Sequence, residues 1–406
     1  MHILLIHQAF AALDEPGGTR HAEFARYLAA RGHQVTVIAS PVSYLTGARL
    51  DLRASSQDLG GEKDTRVRVI RVAVYGAHHK SFLHRFIAFS SFMVSSFFAG
   101  LRVRKVDLVW GTSPPMLQGI TAWALARLKG ARFLFEVRDL WPDFAVAVGV
   151  LKNPLLIRAA LWLERFLYRR ADRVIVNSPA YVDHVKGRGA GRVSLAPNGA
   201  DPDMFDPGDR GEPFRRRNLL ADKFVATYAG AHGMSNDLGL VLEAASLLRD
   251  MPEVMLILVG DGKEKPVLEE RAAAMGLANV RFLPPVRKRE MGATLAGADA
   301  CIAILKPLEE YKTTYPNKVF DYMAAGRPIV LAIDGVIRQV VEAAGCGVFA
   351  RPGDAPALAA AIRTLAADRE HSRQMGLAGR RYLEEHFSRE AIAGQLMAVF
   401  QETLES

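Results

Sequence analysis

The run YPNKVFDYMAAGRP at 315–328 places a carboxylate, Asp321, in the first turns of a helix entered through Pro316, Asn317 and Lys318. The unpaired amides and positive dipole end of a helix N-terminus suit a phosphate, and a carboxylate one or two turns further in can reach ribose hydroxyls. Together these are the means of holding a nucleoside diphosphate. The plain structural alternative is an amphipathic helix that stops at Gly326, with Asp321 on its solvated face. A second polar cluster, Glu136-Val137-Arg138-Asp139-Leu140-Trp141-Pro142-Asp143, leaves a strand and breaks at a proline. Charged groups at the carboxyl end of a strand project toward a ligand crevice. There Arg138 can grip a diphosphate or carboxylate through its fork, and Asp139 can orient an attacking hydroxyl, with Glu136 beside them. The alternative is an internal Arg–carboxylate network that pins the loop.

Glycine turns supply the remaining candidates. Gly17 and Gly18 lie between the first strand and the first helix, where backbone amides can approach a pyrophosphate. Gly230 and His232 follow another strand, and Gly260 and Lys263 the next, so both turns can face a diphosphate. A G-x-G-x-x-G turn with an acid at the end of the second strand is missing, which argues against an oxidoreductase. No D-x-D sits at a strand end, no His, Asp or Glu cluster has metal spacing, and no side chain stands out as a covalent nucleophile. The expectation is therefore a site with neither metal nor cofactor.

These residues need strands to carry them. Apolar runs at 3–6, 34–39, 69–72, 108–110, 133–136, 173–177 and 193–196 alternate with helix-length amphipathic segments, and a second series runs at 224–228, 255–259, 280–282, 300–304 and 328–332. Such alternation implies α/β architecture with parallel, doubly wound sheets. The proline- and glycine-containing stretch 201–217 reads as a linker between domains at 1–200 and 218–385, with a C-terminal helix within 386–406. A chain of 406 residues suits two domains of about 200 each.

Cys301 and Cys346 form no framework, which points to a reducing compartment, and the N-terminus reads as a buried strand rather than a signal peptide. The net charge of +9 calls for a polyanionic partner. No Asp or Glu occurs between Arg66 and Lys105, while Arg68, Arg71, Lys80, Arg85, Arg102 and Arg104 accumulate. The uncharged segment 86–101 within that interval is shorter than a membrane span. It is either a core helix or a surface that docks on an anionic membrane. Nucleic acid is disfavoured, because no reading helix or stacking motif accompanies the charge.

The segments YPNKVFDYMAAGRP, EVRDLWP and GGTRHAEFARYLAARGHQVTV resemble those of retaining GT-B glycosyltransferases of the family-four type, and within them bacterial O-antigen and capsule transferases of the WbuB type. The resemblance covers nearly the whole chain. It implies two Rossmann-like domains facing a cleft, with the C-terminal helix crossing back to the first domain. The family carries two glutamates separated by seven residues; Asp321 stands at the second and Thr313 at the first, where the family touches the donor sugar. Relatives place an Arg and a Lys after the first glycine turn of the second domain, but Met234, Ser235, Asn236 and Asp237 stand here. Lys318 is then the leading candidate to neutralise phosphate, with Lys263 and Arg287 behind it. The implied reaction moves a hexose or N-acetylamino sugar from a nucleotide diphosphate, UDP by expectation, to a lipid-linked or oligosaccharide acceptor. It implies retention by front-face attack, and a cytoplasmic enzyme peripheral to the inner face of the membrane. A nucleotide-sugar 2-epimerase and a non-catalytic lipid-binding homologue remain as alternatives.

Overall fold

The computed structural model describes residues 1–15, 17–42, 66–76 and 82–405; Lys80 lies outside the described residues. The chain divides into two compact units, Met1–Pro197 with Glu390–Ser406, and Asn198–Arg389.

The first unit is a seven-stranded parallel sheet of β1 (His2–Ile6), β2 (Gln34–Ala39), β3 (Val67–Arg71), β4 (Leu108–Ser113), β5 (Arg132–Val137), β6 (Arg173–Val176) and β7 (Val193–Leu195), in the order β3-β2-β1-β4-β5-β6-β7. β1 and β4 are buried throughout or nearly so, because helices cover both faces of a parallel sheet. Helices Phe82–Leu101, Leu117–Lys129 and Pro154–Arg170 cover one face through Phe92, Leu125, Leu163 and Leu167. Helices Arg20–Ala30 and Arg389–Glu405 cover the other through Phe24, Leu28, Leu396 and Phe400, the last edge-on to Trp110 at 5.3 Å. The C-terminal helix thus belongs to the core of the first unit. Winding reverses between β1 and β4, and a reversal opens a crevice at the carboxyl ends of the strands.

The second unit holds β8 (Phe224–Ala229), β9 (Val254–Val259), β10 (Val280–Leu283), β11 (Ala300–Ile304), β12 (Ile329–Ala332) and β13 (Gly347–Phe349), in the order β10-β9-β8-β11-β12-β13. Its reversal lies between β8 and β11. The three-residue β13, between glycine and a proline-containing turn, was too short and too poor in apolar pattern to expect from sequence.

The stretch 201–217, expected as a linker, is packed into the second unit. Arg215 donates to Gly297 O at 2.8 Å and to Asp299 Oδ2 at 3.1 Å, and Arg380 Nη1 donates to Pro202 O and Phe205 O. A Cβ on Gly211 would stand 2.2 Å from Gly297 N, so this glycine permits close packing as well as its positive φ of 61°.

Candidate functional site

In the second unit the candidate residues gather at the carboxyl ends of β8, β9 and β10. β8 runs into Gly230, whose φ is +155°, and the adjacent turn carries Gly260 at +147° and Gly262 at +154°. A Cβ on Gly260 would lie 1.8 Å from Gly230 O, and one on Gly262 would lie 2.4 Å from His232 O. The two turns therefore touch backbone to backbone, and no side chain fits between them. His232 N donates to Asp261 O at 2.8 Å, and Glu264 N donates to His232 O at 3.0 Å, which ties one turn to the other. The His232 ring is buried; its pKa is pushed down to about 4 by burial first and then by Lys265 and Lys318, so the imidazole is neutral at pH 7.

Lys318 is in the first turn of helix Asn317–Ala324 and reaches the end of β8. Its ammonium donates to Tyr228 Oη at 2.7 Å and to Asn236 Oδ1 at 3.3 Å, and lies 3.9 Å from the centre of the Tyr228 ring. A Cβ on Gly230 would stand 3.0 Å from it. No carboxylate among the described residues pairs with it, and burial alone pulls its pKa down to about 7. Tyr322, one turn on, holds the same strand end: its hydroxyl accepts from Ala229 N at 2.9 Å and donates to Ala229 O at 3.2 Å.

Asp321 is not on a solvated face. Its Oδ1 accepts from Lys288 Nζ at 2.5 Å, with both side chains largely buried and Lys288 also 5.4 Å from the Phe205 ring. Arg287, the expected cation of that loop, is exposed, as are Lys263 and Asn317. Lys265 instead braces the second glycine turn, donating to Gly260 O at 2.9 Å and Leu283 O at 3.0 Å. In both loops the lysine engaged lies beyond the residue expected. Only the three-dimensional path of the loop reveals this, because sequence cannot distinguish neighbouring cations at a helix start. Thr313 Oγ1 donates to Glu310 O at 2.5 Å and closes a short 3-10 turn, a local structural use of its hydroxyl.

In the first unit the EVRDLWP cluster is split by the pleat of β5. Phe133, Phe135 and Val137 face the three-helix layer, while Leu134 and Glu136 face helix Arg20–Ala30. Glu136 is fully buried, accepting from Arg20 Nε at 3.0 Å and His21 Nε2 at 2.6 Å. Burial would lift its carboxyl, but His21 and Arg20 outweigh that and hold it well below the usual carboxylate range. The expectation that Glu136 projects into a crevice is corrected: the residue is still inside the strand, pointing into the core. Arg20 also donates to Ala196 O and Pro197 O, both at 2.6 Å, fixing the end of the unit's chain to its first helix. Arg138 is used as a brace, with Nε donating to Thr112 Oγ1 at 2.9 Å and Nη2 to Pro114 O at 3.0 Å. Asp139 alone of the three is exposed, just past the end of β5.

Gly17 and Gly18 are exposed, and nothing lies within 4 Å of a Cβ built on Gly18. Their turn is held by Glu15, which accepts from Ala12 N at 3.0 Å and from Arg71 Nη2 at 3.0 Å; Arg71 also donates to Phe10 O and Ser40 O. Arg71 is thus removed from the surface charge assigned to it by sequence.

Two family models match the chain: a glycosyl transferase 4-like domain over residues 17–199 and a glycosyl transferases group 1 domain over residues 223–368. WcaI of Escherichia coli K12, named for colanic acid biosynthesis, is 28% identical over 85% of this chain and 87% of its own length. The D-inositol 3-phosphate glycosyltransferase of Geodermatophilus obscurus is 31% identical over 61% of this chain, which spans about half (56%) of that relative. Among solved structures, sucrose-phosphate synthase from Thermosynechococcus elongatus superposes with a TM-score of 0.78 at 20% identity, covering 99% of this chain and 98% of that one. HepE of Anabaena, in complex with UDP and glucose, gives 0.74 at 18% identity over 99% and 100%. WaaG, a lipopolysaccharide glycosyltransferase, gives 0.69 at 16% over 98% and 99%. With two wound sheets, a last helix returned to the first unit and both halves matched, the chain is a glycosyltransferase with the GT-B fold, made of a glycosyl transferase 4-like domain and a group 1 domain.

Proposed function

We propose that the chain moves a hexose or N-acetylamino sugar from UDP to a lipid-linked or growing surface glycan, with retention, at the inner face of the cytoplasmic membrane. The observation that carries this reading is the Lys318 ammonium, set with no carboxylate partner among the described residues at the reversal of the second sheet, against side-chain-free turns and a helix N-terminus. A cation beside a helix N-terminus suits an anion, and a nucleoside diphosphate is one. HepE, which shares the fold, is described in complex with UDP-glucose, and that supports UDP as the carrier.

In this reading Lys318 and the helix dipole, in place of a metal, stabilise the charge that develops on the departing diphosphate. The bond from the anomeric carbon to phosphate oxygen breaks, the bond to the acceptor oxygen forms on the same face, and the hydroxyl proton passes to the departing phosphate. Asp321, steadied by Lys288, takes the ribose hydroxyls, and Asp139 orients the acceptor. Membrane attachment is assigned to helix Phe82–Leu101. That helix exposes Phe86, Val94 and Phe98, and exposed Arg102, Arg104 and Lys105 follow it. No described helix is long and apolar enough to cross a membrane.

Product analysis with labelled UDP-sugars and a lipid-extract acceptor tests the reading. A retained glycosidic product supports it; an altered free nucleotide sugar formed without acceptor identifies an epimerase, and unchanged donor a non-catalytic homologue. Asp321→Ala is expected to weaken UDP binding by about 1.5 to 3 kcal/mol in calorimetry, the worth of a hydrogen bond to a charged group. Unchanged affinity removes Asp321 from the site. Asp139→Asn is expected to lower kcat while leaving UDP affinity within a few fold, the pattern of an interaction made in the transition state. Normal turnover in that variant would return Asp139 to the surface.

A further inference from the structure

Helix Pro154–Arg170 has an outward face that its place in the core does not explain. Asn153 caps it, its side chain accepting from Leu155 N and Leu156 N, and Leu163 and Leu167 seat it on the sheet. Leu155 is nevertheless 70% exposed and Trp162 64% exposed. Arg158, Arg165 and Arg169 are exposed too, and with Trp162 they follow the three- and four-residue steps of one helical stripe. The helix's single acidic residue, Glu164, is fully buried and paired with Arg188 and with His184 at 3.2 Å. Helices Phe82–Leu101 and Leu117–Lys129, which share the layer, contain no Asp or Glu. The outer surface of the three helices therefore carries exposed apolar and basic side chains and no exposed helical carboxylate.

The apolar groups run on between helices. Trp162 stacks on Phe166, with ring centres 5.5 Å apart and planes at 17°, and Phe166 meets the edge of Trp123 on helix Leu117–Lys129 at 4.9 Å. A protein groove would enclose such groups. Here Trp162 stands out between arginines, as does a side chain whose ring sits at the headgroup level while guanidinium groups meet phosphates above the acyl chains.

We infer that the outward face of helix Pro154–Arg170 is a second membrane-docking element, seating Trp162 and Leu155 at the headgroup–acyl boundary of an anionic bilayer with Arg158, Arg165 and Arg169 on lipid phosphates. The inference rests on the reading that this unit attaches to a membrane, and it adds an anchor separate from helix Phe82–Leu101. Two anchors on one layer fix the orientation of the unit on the membrane, which a single helix leaves free to roll. Attraction of this origin weakens with salt.

Sedimentation of the full chain with vesicles of equal parts phosphatidylglycerol and phosphatidylcholine, against phosphatidylcholine alone, tests it. Each Arg→Gln change is expected to lower partitioning about fivefold, so Arg158→Gln/Arg165→Gln/Arg169→Gln together lower it about a hundredfold, with the circular dichroism spectrum and UDP affinity unchanged. Brominated phosphatidylcholine in the anionic vesicles should quench the tryptophan fluorescence of the wild type and lose most of that effect in Trp162→Phe. If the triple variant partitions like the wild type and quenching survives in Trp162→Phe, while Val94→Ser/Phe98→Ser releases the protein, this inference is overturned and the docking of helix Phe82–Leu101 stands. If the wild type stays in the supernatant with anionic vesicles at low salt, the membrane reading falls as well, and the face is left to a protein partner.

Discussion

Lys318→Met is expected to weaken UDP binding by about 2 to 3 kcal/mol, roughly 30- to 150-fold, because it removes the half-buried cation facing the side-chain-free turns. The fold should tolerate the change. Tyr228 keeps its hydrogen bond to Ala231 O at 2.7 Å, and methionine fills much of the same space over the ring. The wild type should also show a pH signature that the variant lacks. With its pKa pulled down to about 7 by burial, free Lys318 loses its proton as pH rises past neutrality, while the diphosphate is already ionised. Binding above pH 7 must then recruit a proton, so affinity falls by up to about tenfold per pH unit, and calorimetry in buffers of differing ionisation enthalpy should register proton uptake. The sign for stability is opposite. The unfolded lysine stays protonated to its ordinary 10.5, so between pH 7 and 10.5 the unfolded chain binds more protons, and the stability of the unliganded protein rises with pH across that window. Lys318→Met should flatten this contribution and raise the thermal midpoint near pH 7. Wild-type affinity that is level from pH 7 to 9 would show that Lys318 does not meet the phosphate.

Glu136→Gln and Glu136→Ala should damage folding before they damage chemistry. Removing the carboxylate breaks the buried pair that Glu136 makes with Arg20 and costs about 3 to 5 kcal/mol, the usual penalty for breaking such a pair. Because Arg20 also holds Ala196 O and Pro197 O, the last strand of the first unit should loosen with it. Urea unfolding followed by circular dichroism and by the fluorescence of buried Trp110 measures the loss. The carboxyl titrates below its ordinary 4.5 in the folded chain, so its contribution is complete above that pH and is lost as pH falls toward the folded value. Acid unfolding of the wild type should therefore begin below about pH 4.5, and the Gln variant should lack this component. A Gln variant as stable as the wild type, yet without turnover, would restore Glu136 to a chemical role and remove the structural one assigned here.

The fold was highly legible because parallel strands covered on both faces read as unbroken apolar runs. Val254–Val259 and His2–Ile6 need no partner information to be recognised. β13 was not legible, since three residues beside glycine carry too little pattern. The stretch 201–217 was misread for a related reason. Proline and glycine mark irregular backbone, and irregular backbone can be packed as firmly as a helix when, as at Gly211, a missing Cβ lets two chains meet.

The sequence by itself determined the family, the two wound sheets, the turns at Gly230 and Gly260, and the choice of Lys318 as the cation beside them. The sheets and turns follow from local spacing, since a residue's distance in sequence from a strand end or a helix start sets where its backbone lies; the family and the choice of Lys318 follow from the resemblance of whole motifs. Only the tertiary structure decided which side chains those backbones bring together. The pleat turns Glu136 into the core and leaves Asp139 outside; Asp321 finds Lys288 across 33 positions of sequence, and Glu15 finds Arg71 across 56. An ion pair depends on a few ångströms between side chains set by the packing of separate elements, and the spacing within either element carries no record of that distance.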